Sequence, residues 1–178
     1  MRAFETNDWI LLNSIIYKIY TVNNLDEMRN QFLEQIRMLI GFDAADFCLA
    51  SVDGSNKLIS PVLFNCDDDM SAIYDESDYC REILYSGKTL IYRDTDITPD
   101  KMGEGTDSYK KVYQSNNWQY SLHMVLAFNK EFVGVISFYR TIGKEDFAND
   151  DIFILDLLKE HMAYRLYKNK KSGNLLSE

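Results

Sequence analysis

Four acidic residues fall within the eight positions Lys144–Asp151, KEDFANDD, directly after the apolar run FVGVISFYR. Clustered carboxylates can hold a metal ion, act as a general acid and base, or begin a helix. The residues that follow have the periodicity of a helix, which favours the interpretation that these acids begin one. We predict Asn149 as the N-cap, with Asp150 and Asp151 in the first turn, where negative charge complements the helix dipole. Phe147 is predicted to anchor the turn in the core.

Other groups able to do chemistry are few. Three cysteines stand apart with no C-x-x-C pair: Cys48, Cys66 and Cys80. The acidic run CDDDM at 66–70 lacks the alternating ligands, central glycine and distal glutamate of a calcium loop. We therefore predict a solvated acidic loop there. The sequence predicts no catalytic residue, no metal site and no cofactor.

A hairpin formed by WQYSLHMVLAF and FVGVISFYR carries the most informative polar residues. With NKE as a three-residue loop, Phe128 pairs with Phe132. The same register places His123 opposite Ser137. No carboxylate or cysteine stands at a diagnostic spacing from His123, so we expect a hydrogen-bonded strand histidine rather than a base or a haem ligand.

Residues opposite each other in a hairpin share a face, because side chains alternate with period two. The polar residues of both strands then lie on one face and the apolar residues on the other. We predict that the polar face is the floor of a ligand pocket formed by Ser121, His123, Ser137 and Tyr139. A face that is only solvated, or covered by a loop, is the alternative.

Aromatic residues with polar tips precede this hairpin. Such side chains combine apolar area with a hydrogen-bonding group, which suits a ligand cavity. Tyr109, Tyr113 and Trp118 are predicted to contact the ligand, because they lie just before the polar strand. Ordinary half-buried packing is the alternative for each of them.

Stretches with the periodicity of helices and of strands surround these residues. Two amphipathic helices open the chain, and a long helix from about Asp150 to Lys168 closes it. Between them we predict a first hairpin, a short helix, a short strand, a polar loop at 96–107, a further helix and the polar hairpin. This order indicates an α+β fold with one antiparallel sheet. No glycine-rich phosphate loop is present.

Size and charge narrow the function classes. A chain of 178 residues suits one domain, and its net charge of -9 repels phosphate backbones, so no nucleic acid is expected to bind this domain itself. No apolar stretch approaches the roughly 20 residues of a membrane span, and the N-terminus lacks a signal peptide's apolar core. We expect a cytoplasmic protein with no membrane contact.

The final third of the chain carries a resemblance. FVGVISFYR followed by EDFANDDIFILDLLKEHMAYRL resembles the last strand, cap and long helix of the GAF family of small-molecule sensor domains, and GFDAADFCLASVD resembles that family's entry into its first strand. The resemblance covers most of residues 7–168. It implies a central antiparallel sheet with the N- and C-terminal helices on one face and a ligand pocket on the other.

Within that family, the chain looks most like sensor domains that precede a LuxR-type helix-turn-helix DNA-binding domain. The terminal NLLSE is similar to the LSxRE that opens this DNA-binding domain. The resemblance implies a sensor domain at 1–168 and an exit linker at 169–178.

This sequence departs from the motifs of the family's specialised members. Cyclic-nucleotide-binding members have Asn-Lys after the last strand and then Phe-x-x-x-Asp-Glu, where this chain has Tyr139, Arg140, Phe147, Asp151 and Ile152. Bilin-binding members need a Cys-His-like context, which is missing. The paired cysteines of the free-methionine-sulfoxide reductases cannot be placed among the three cysteines here.

The last helix has a second apolar stripe, and the first helix is similarly broad. Apolar surface beyond what packs on the sheet indicates a partner, so we predict a homodimer through residues 8–20 and 150–168.

The predicted function is a small-molecule-sensing regulatory domain of a bacterial transcription regulator that signals through terminal-helix packing, and not an enzyme. A GAF-fold thiol enzyme such as a methionine sulfoxide reductase, and a degenerate GAF domain serving only dimerisation, remain alternatives.

Overall fold

The structure is a computed structural model that describes residues 2–55, 57–97 and 106–176. The helices are α1 (Thr6–Thr21), α2 (Leu25–Ile36), α3 (Ser71–Glu76), α4 (Asp78–Leu84), α5 (Asp107–Asn116) and α6 (Asn149–Leu176). The strands are β1 (Ala44–Ala50), β2 (Leu58–Phe64), β3 (Leu90–Arg93), β4 (Trp118–Phe128) and β5 (Glu131–Thr141). A 3₁₀ turn, Asp94–Asp96, follows β3.

The five strands form one sheet in the order β2-β1-β5-β4-β3, with every neighbouring pair antiparallel. Buried residues divide into two clusters, one on each side of the sheet. The first cluster contains the inward faces of α1, α2 and α6, and the second contains those of α3, α4 and α5. The predicted α+β fold, with terminal helices on one face, is confirmed.

Close packing of α6 on the sheet depends on Gly134 in β5. A Cβ at this position would lie 2.8 Å from Cδ1 of Leu166 and 3.0 Å from the carbonyl oxygen of Cys48. Both contacts are shorter than ordinary packing distances, and one of them is to backbone. The absence of a side chain therefore allows α6 to lie directly against the middle of the sheet.

Arg165 ties α6 to the end of α1. Its guanidinium is buried and donates hydrogen bonds to the carbonyl oxygens of Ile19 at 2.5 Å and Val22 at 2.7 Å. The last carbonyls of a helix have no partner within the helix, so a buried cation there satisfies them. His161 of α6 adds a 2.8 Å hydrogen bond to the Tyr20 hydroxyl. These hydrogen bonds therefore connect the two terminal helices.

The polar hairpin has the predicted register in its centre but not at its tip. The turn has two residues, Asn129 and Lys130, both with positive φ. Phe128 pairs with Glu131 rather than Phe132, so the predicted three-residue loop is wrong. A bulge between Leu126 and Ala127 takes up the difference of one residue, which is why the rest of the hairpin keeps its predicted pairs.

The start of α6 differs from prediction by one residue. The amides of Asp151 and Ile152 donate to the carbonyl of Ala148, and the amide of Ala148 donates to the Asp151 carboxylate at 2.8 Å. Ala148 therefore occupies the N-cap position, and Asn149 is the first helical residue, so the predicted Asn149 cap is wrong. The reason is that Asp151 reaches back from the first turn. Phe147 is 1% exposed in the core, as predicted.

The end of α6 also differs. The helix continues to Leu176, so the predicted end at Lys168 is wrong. Lys170 donates to the carbonyl of Phe132, and Lys171 pairs with Glu131, so the last turns are held against the polar hairpin. The division into a sensor domain and a linker stays a prediction.

Two further differences concern connecting segments. The sequence predicts one helix between β2 and β3, whereas the structure has two, α3 and α4. The predicted polar loop at 96–107 falls largely on 98–105, outside the described residues. Along the part of the chain that is described, no helix combines the length and apolar character that crossing a membrane requires.

Candidate functional site

The four predicted floor residues lie together on the sheet face opposite the terminal helices. His123 pairs with Ser137, and Ser121 pairs with Tyr139, as the predicted register requires. None of the four is more than 1% exposed. These side chains are therefore covered and not solvated, and they belong to a packed layer beneath α3, α4 and α5. Whether this layer admits a ligand stays a prediction.

Asp94 joins these residues into one network. It directly follows β3, and its side chain is buried. One oxygen, Oδ1, lies 2.7 Å from Nε2 of His123, and the other, Oδ2, accepts hydrogen bonds from the hydroxyls of Ser121 and Tyr113. The Tyr109 hydroxyl lies 3.5 Å from the same Oδ2. A single carboxylate thus contacts four of the seven predicted site residues.

Sequence reasoning missed this partner of His123. Asp94 and His123 are 29 residues apart, and they meet because β3 pairs with β4 so that Tyr92 lies opposite His123. The prediction of a hydrogen-bonded strand histidine is confirmed, but its carboxylate partner could not be found from local spacing. The available signal was an acid placed immediately after a short apolar strand, TLIYRD.

A second buried carboxylate, Asp46 of β1, extends the network. It lies opposite Ser137, which lies opposite His123, so a polar row crosses three neighbouring strands. Asp46 is fully buried and accepts a hydrogen bond from the Tyr139 hydroxyl. The Nδ1 atom of His123 lies 2.8 Å from the Ser137 hydroxyl, in the middle of the row. This acid was missed too, because its neighbours along the chain are apolar.

The protein shifts the pKa values of the two carboxylates in opposite directions. Burial is the largest effect at Asp46, and it raises the pKa of that group to about 8. Burial also acts to raise the pKa of Asp94, but the electrostatic effect of His123 and the hydrogen bonds from His123, Ser121 and Tyr113 outweigh it, and the pKa of Asp94 is lowered. At neutral pH, Asp46 is mostly protonated and Asp94 is an anion.

The remaining predicted residues form the aromatic part of the site. Trp118 stacks on Tyr139 with ring centroids 3.7 Å apart, and Tyr109 stacks on Tyr113 at 4.1 Å. The two stacks meet at right angles, since the Tyr113 and Trp118 rings are inclined by 87°. The structure therefore brings all seven predicted site residues together.

The cysteines are poorly placed for nucleophilic chemistry. Cys48 and Cys80 are buried, and Cys66 is half-buried. Burial raises the pKa of all three thiols, that of Cys66 to about 12. Because the thiolate is the reactive form, none of the three is activated at neutral pH in this arrangement.

Other sites on the described residues are weaker. Within 2–55, 57–97 and 106–176, no three His, Cys, Asp or Glu side chains converge so that they could hold a metal ion. Four surface clefts, of about 420, 210, 310 and 150 Å³, lie away from the seven site residues. In the largest, Arg140 is paired with Asp151 and Lys144 with Asp43.

Large apolar side chains are exposed along α1 and α6. They form what we call the helix surface: Trp9, Ile10, Tyr17, Tyr20, Phe153 and Tyr164. Ile10 and Tyr17 are the most exposed of them, at 62% and 67%. They are two helical turns apart, so they project from the same side of α1. Large apolar side chains therefore face outward on both terminal helices.

Comparison with known proteins gives matches in structure. No family model and no curated protein sequence matches the chain. The GAF domain of a two-component sensor histidine kinase from Bacillus halodurans is 22% identical, with a TM-score of 0.59. The match covers 84% of this chain and 98% of that one. The VqsR ligand-binding domain from Pseudomonas aeruginosa is 10% identical, with a TM-score of 0.61, covering 92% of this chain and 96% of that one.

A third structure is an enzyme. Free methionine-R-sulfoxide reductase from Neisseria meningitidis, in complex with its substrate, is 13% identical, with a TM-score of 0.65 and 97% coverage of both chains. Likeness at these identities reports the shared fold. Together with the sheet order and the helix placement, it shows that this chain has a GAF-like α+β fold.

Proposed function

We propose that this chain is a small-molecule-sensing regulatory domain of a bacterial transcription regulator. The observation that carries the proposal is the network in which Asp94 contacts four of the seven predicted residues, on the sheet face opposite the terminal helices. Buried polar groups with perturbed pKa values concentrate at functional sites. Similarity to the VqsR ligand-binding domain and to a sensor-kinase GAF domain supports a sensing role.

The signal would pass through the terminal helices. A ligand changes the output only if it favours one arrangement of these helices over another. The polar hairpin connects the two regions, because Lys170 and Lys171 of α6 contact Phe132 and Glu131 of β5. A shift of the hairpin on ligand binding would therefore move the end of α6.

Binding itself is tested by native mass spectrometry of the protein purified without denaturation. We expect an added mass from a co-purified small molecule. Ser121→Leu, which fills space at the network, should lose that mass. Ser115→Leu, on the exposed side of α5, is the control and should keep it. A bare mass for the unmodified protein would contradict the sensing proposal.

Dimerisation is proposed through the helix surface, within residues 8–20 and 150–168. Groups of large exposed apolar side chains are characteristic of protein interfaces. By sedimentation at high micromolar concentration we expect a dimer, and Ile10→Glu with Tyr17→Glu should yield a monomer because a charge cannot be buried unpaired at the interface. Met38→Glu is the control, since Met38 is 71% exposed outside both segments and should leave the dimer intact. A monomer for the unmodified protein would overturn this interface.

A second candidate function is dimerisation alone. The specific observation in its favour is that the polar face is already filled by the protein's own side chains, with Trp118 stacked on Tyr139. The mass-spectrometry experiment separates the two functions.

We infer that thiol catalysis is not the activity, and the raised thiol pKa values support that inference. Triple Cys→Ser substitution should leave ligand binding unchanged.

A further inference from the structure

We propose that the two buried carboxylates of the polar face are the ends of one hydrogen-bond chain, which the loss of a single proton from Asp46 breaks. The chain consists of Asp46, Tyr139, Ser137, His123 and Asp94. It is a pH-sensitive device built into the sheet. It does not depend on the proposed sensing function, because no ligand takes part. Its support comes from the order of the contacts, the hydrogens that these contacts need, and the charges around Asp46.

The contacts run without interruption from one carboxylate to the other. Oδ2 of Asp46 contacts the Tyr139 hydroxyl, and Tyr139 forms a side-chain hydrogen bond with Ser137. The Ser137 hydroxyl lies 2.8 Å from Nδ1 of His123, and Nε2 of the same ring lies 2.7 Å from Oδ1 of Asp94. All five side chains are buried. A group that loses its partner in the chain therefore cannot turn to bulk water instead.

The direction of each hydrogen bond follows from the charge of Asp94. An ionised carboxylate only accepts, so Nε2 of His123 carries a hydrogen and donates to Asp94. In the neutral ring Nδ1 is then an acceptor, and the Ser137 hydroxyl donates to it. The Ser137 oxygen accepts from the Tyr139 hydroxyl, which leaves the Tyr139 oxygen as the acceptor for protonated Asp46. Every contact in the chain thus has one hydrogen while Asp46 is protonated.

Ionisation of Asp46 removes a hydrogen that the rest of the chain cannot replace. Tyr139 then donates to the Asp46 anion, because hydrogen bonds to a charged acceptor are the stronger ones. Ser137 has a single hydrogen, so it can donate to His123 or to Tyr139 but not to both. A buried acceptor that loses its donor is costly. The chain therefore opens on one side of Ser137, unless His123 binds a proton at Nδ1.

The groups around Asp46 do not offset a negative charge there. The titratable side chains that face it are Cys48 of β1, Cys66 after β2, Asp69 before α3, Tyr74 of α3 and Tyr139 of β5. None of them can carry a positive charge, and Asp69 is itself an acid. Arg29 of α2 lies on the other side of the sheet, over the ring of Phe47. The ring of His123 is faced by Asp94, Tyr74 and Tyr92.

The test follows the ring nitrogens of His123 by ¹⁵N NMR of the whole chain, between about pH 6 and pH 10. The sequence has two histidines, so His161→Gln leaves a single ring to observe. At pH 7 we expect a neutral ring with its hydrogen on Nε2. We then expect the Nδ1 signal to shift in a step centred near pH 8, because burial raises the pKa of Asp46 to about 8. An ordinary histidine is already neutral at that pH.

Three variants locate the origin of this step. Asp46→Asn keeps a donor towards Tyr139 and cannot ionise, so the step should disappear while the ring keeps its Nε2 hydrogen. Ser137→Ala and Tyr139→Phe each interrupt the chain and leave Asp46 in place, so both should lose the step. Either one is sufficient if circular dichroism shows that the other is unfolded. Tyr85→Phe, at the exposed end of α4, is the control and should keep the step.

Several outcomes would overturn the chain. One is a His123 signal without a step near pH 8 in the protein that has Asp46, and another is a doubly protonated ring at pH 7. A step of unchanged size in Asp46→Asn would show that another group causes it. An unchanged step in Ser137→Ala or Tyr139→Phe would show that the charge of Asp46 acts on His123 through space. None of these results bears on ligand binding, which native mass spectrometry tests separately.

Discussion

The two faces of the sheet bury side chains in different ways. On the face beneath α1, α2 and α6, the strands contribute residues such as Leu122, Met124 and Ile136, each 0% exposed, to an apolar core. On the other face, Asp46 and His123 are equally buried, yet they are held by hydrogen bonds. Apolar packing tolerates substitutions of similar shape. A polar network requires each partner, because an unpaired buried group is costly.

The comparison shows where the molecule can respond to a ligand. The buried side chains of the helical face are apolar and carry no charge that changes with pH. The polar face contains charges whose energies depend on pH and on which donors surround them. A ligand can therefore change the energies of these charges on the polar face while the apolar core continues to stabilise the fold.

The largest effect is expected from Asp94→Ala. It leaves His123, Ser121 and Tyr113 buried without their shared acceptor, and removing one partner of a buried pair typically costs about 3–5 kcal/mol. We expect a loss of this order in the free energy of unfolding, measured by urea denaturation at pH 7.

Leu158→Ala is the matched change on the helical face, since Leu158 is 0% exposed in the apolar core. It should cost a similar amount, about 2–5 kcal/mol. The distinguishing result is the pH profile: Asp94→Ala should change how stability varies between pH 2 and pH 5, and Leu158→Ala should only lower it. Parallel profiles for both variants would contradict the difference between the faces.

The next effect concerns Asp46. Its folded-state pKa of about 8 lies above the ordinary value, so the folded protein holds the proton more tightly than the unfolded chain does. The stability that this group contributes is complete below its ordinary pKa of 3.8 and is lost progressively as pH rises from there to about 8, with a slope of at most about 1.4 kcal/mol per pH unit.

Asp46→Asn resembles the protonated acid in shape and cannot ionise. We expect little change in stability near pH 3.5, below the ordinary pKa of the group, and a more stable variant at pH 9, measured by urea denaturation at both pH values. Asp94 has the opposite sign, because its lowered pKa gives stability that is lost as pH falls through the folded-state value. An Asp46→Asn protein that is less stable at pH 9 than the unmodified protein would refute the assignment.

The smallest effect lies on the helical side, at the start of α6. Asp151→Ala removes the acceptor of the Ala148 amide and an ion pair with Arg140, so it should cost about 1 kcal/mol. Asn149→Ala should change stability by only a few tenths, because Asn149 does not occupy the cap position. Thermal unfolding at pH 7 measures both, and equal losses would restore Asn149 as the cap.

Much of the fold follows from local patterns. The capping and periodicity of α2, the hairpins and the helix 107–116 are visible in the spacing of apolar and turn-forming residues. The errors lie at the tip of the polar hairpin, at both ends of α6 and in the second helix between β2 and β3. These positions depend on a bulge, on Asp151 reaching back, and on Lys170 and Lys171 meeting the hairpin, which local periodicity does not encode.

The candidate site divides in the same way. By itself the sequence determined which face of the hairpin is polar, because alternation along two paired strands places Ser121, His123, Ser137 and Tyr139 together. Only the tertiary structure decided that Asp94 and Asp46 complete this face, since their contacts arise from the pairing of β3 with β4 and of β1 with β5. The physical reason is distance along the chain. Local spacing sets the direction of a side chain, whereas strand order in the sheet sets its neighbours.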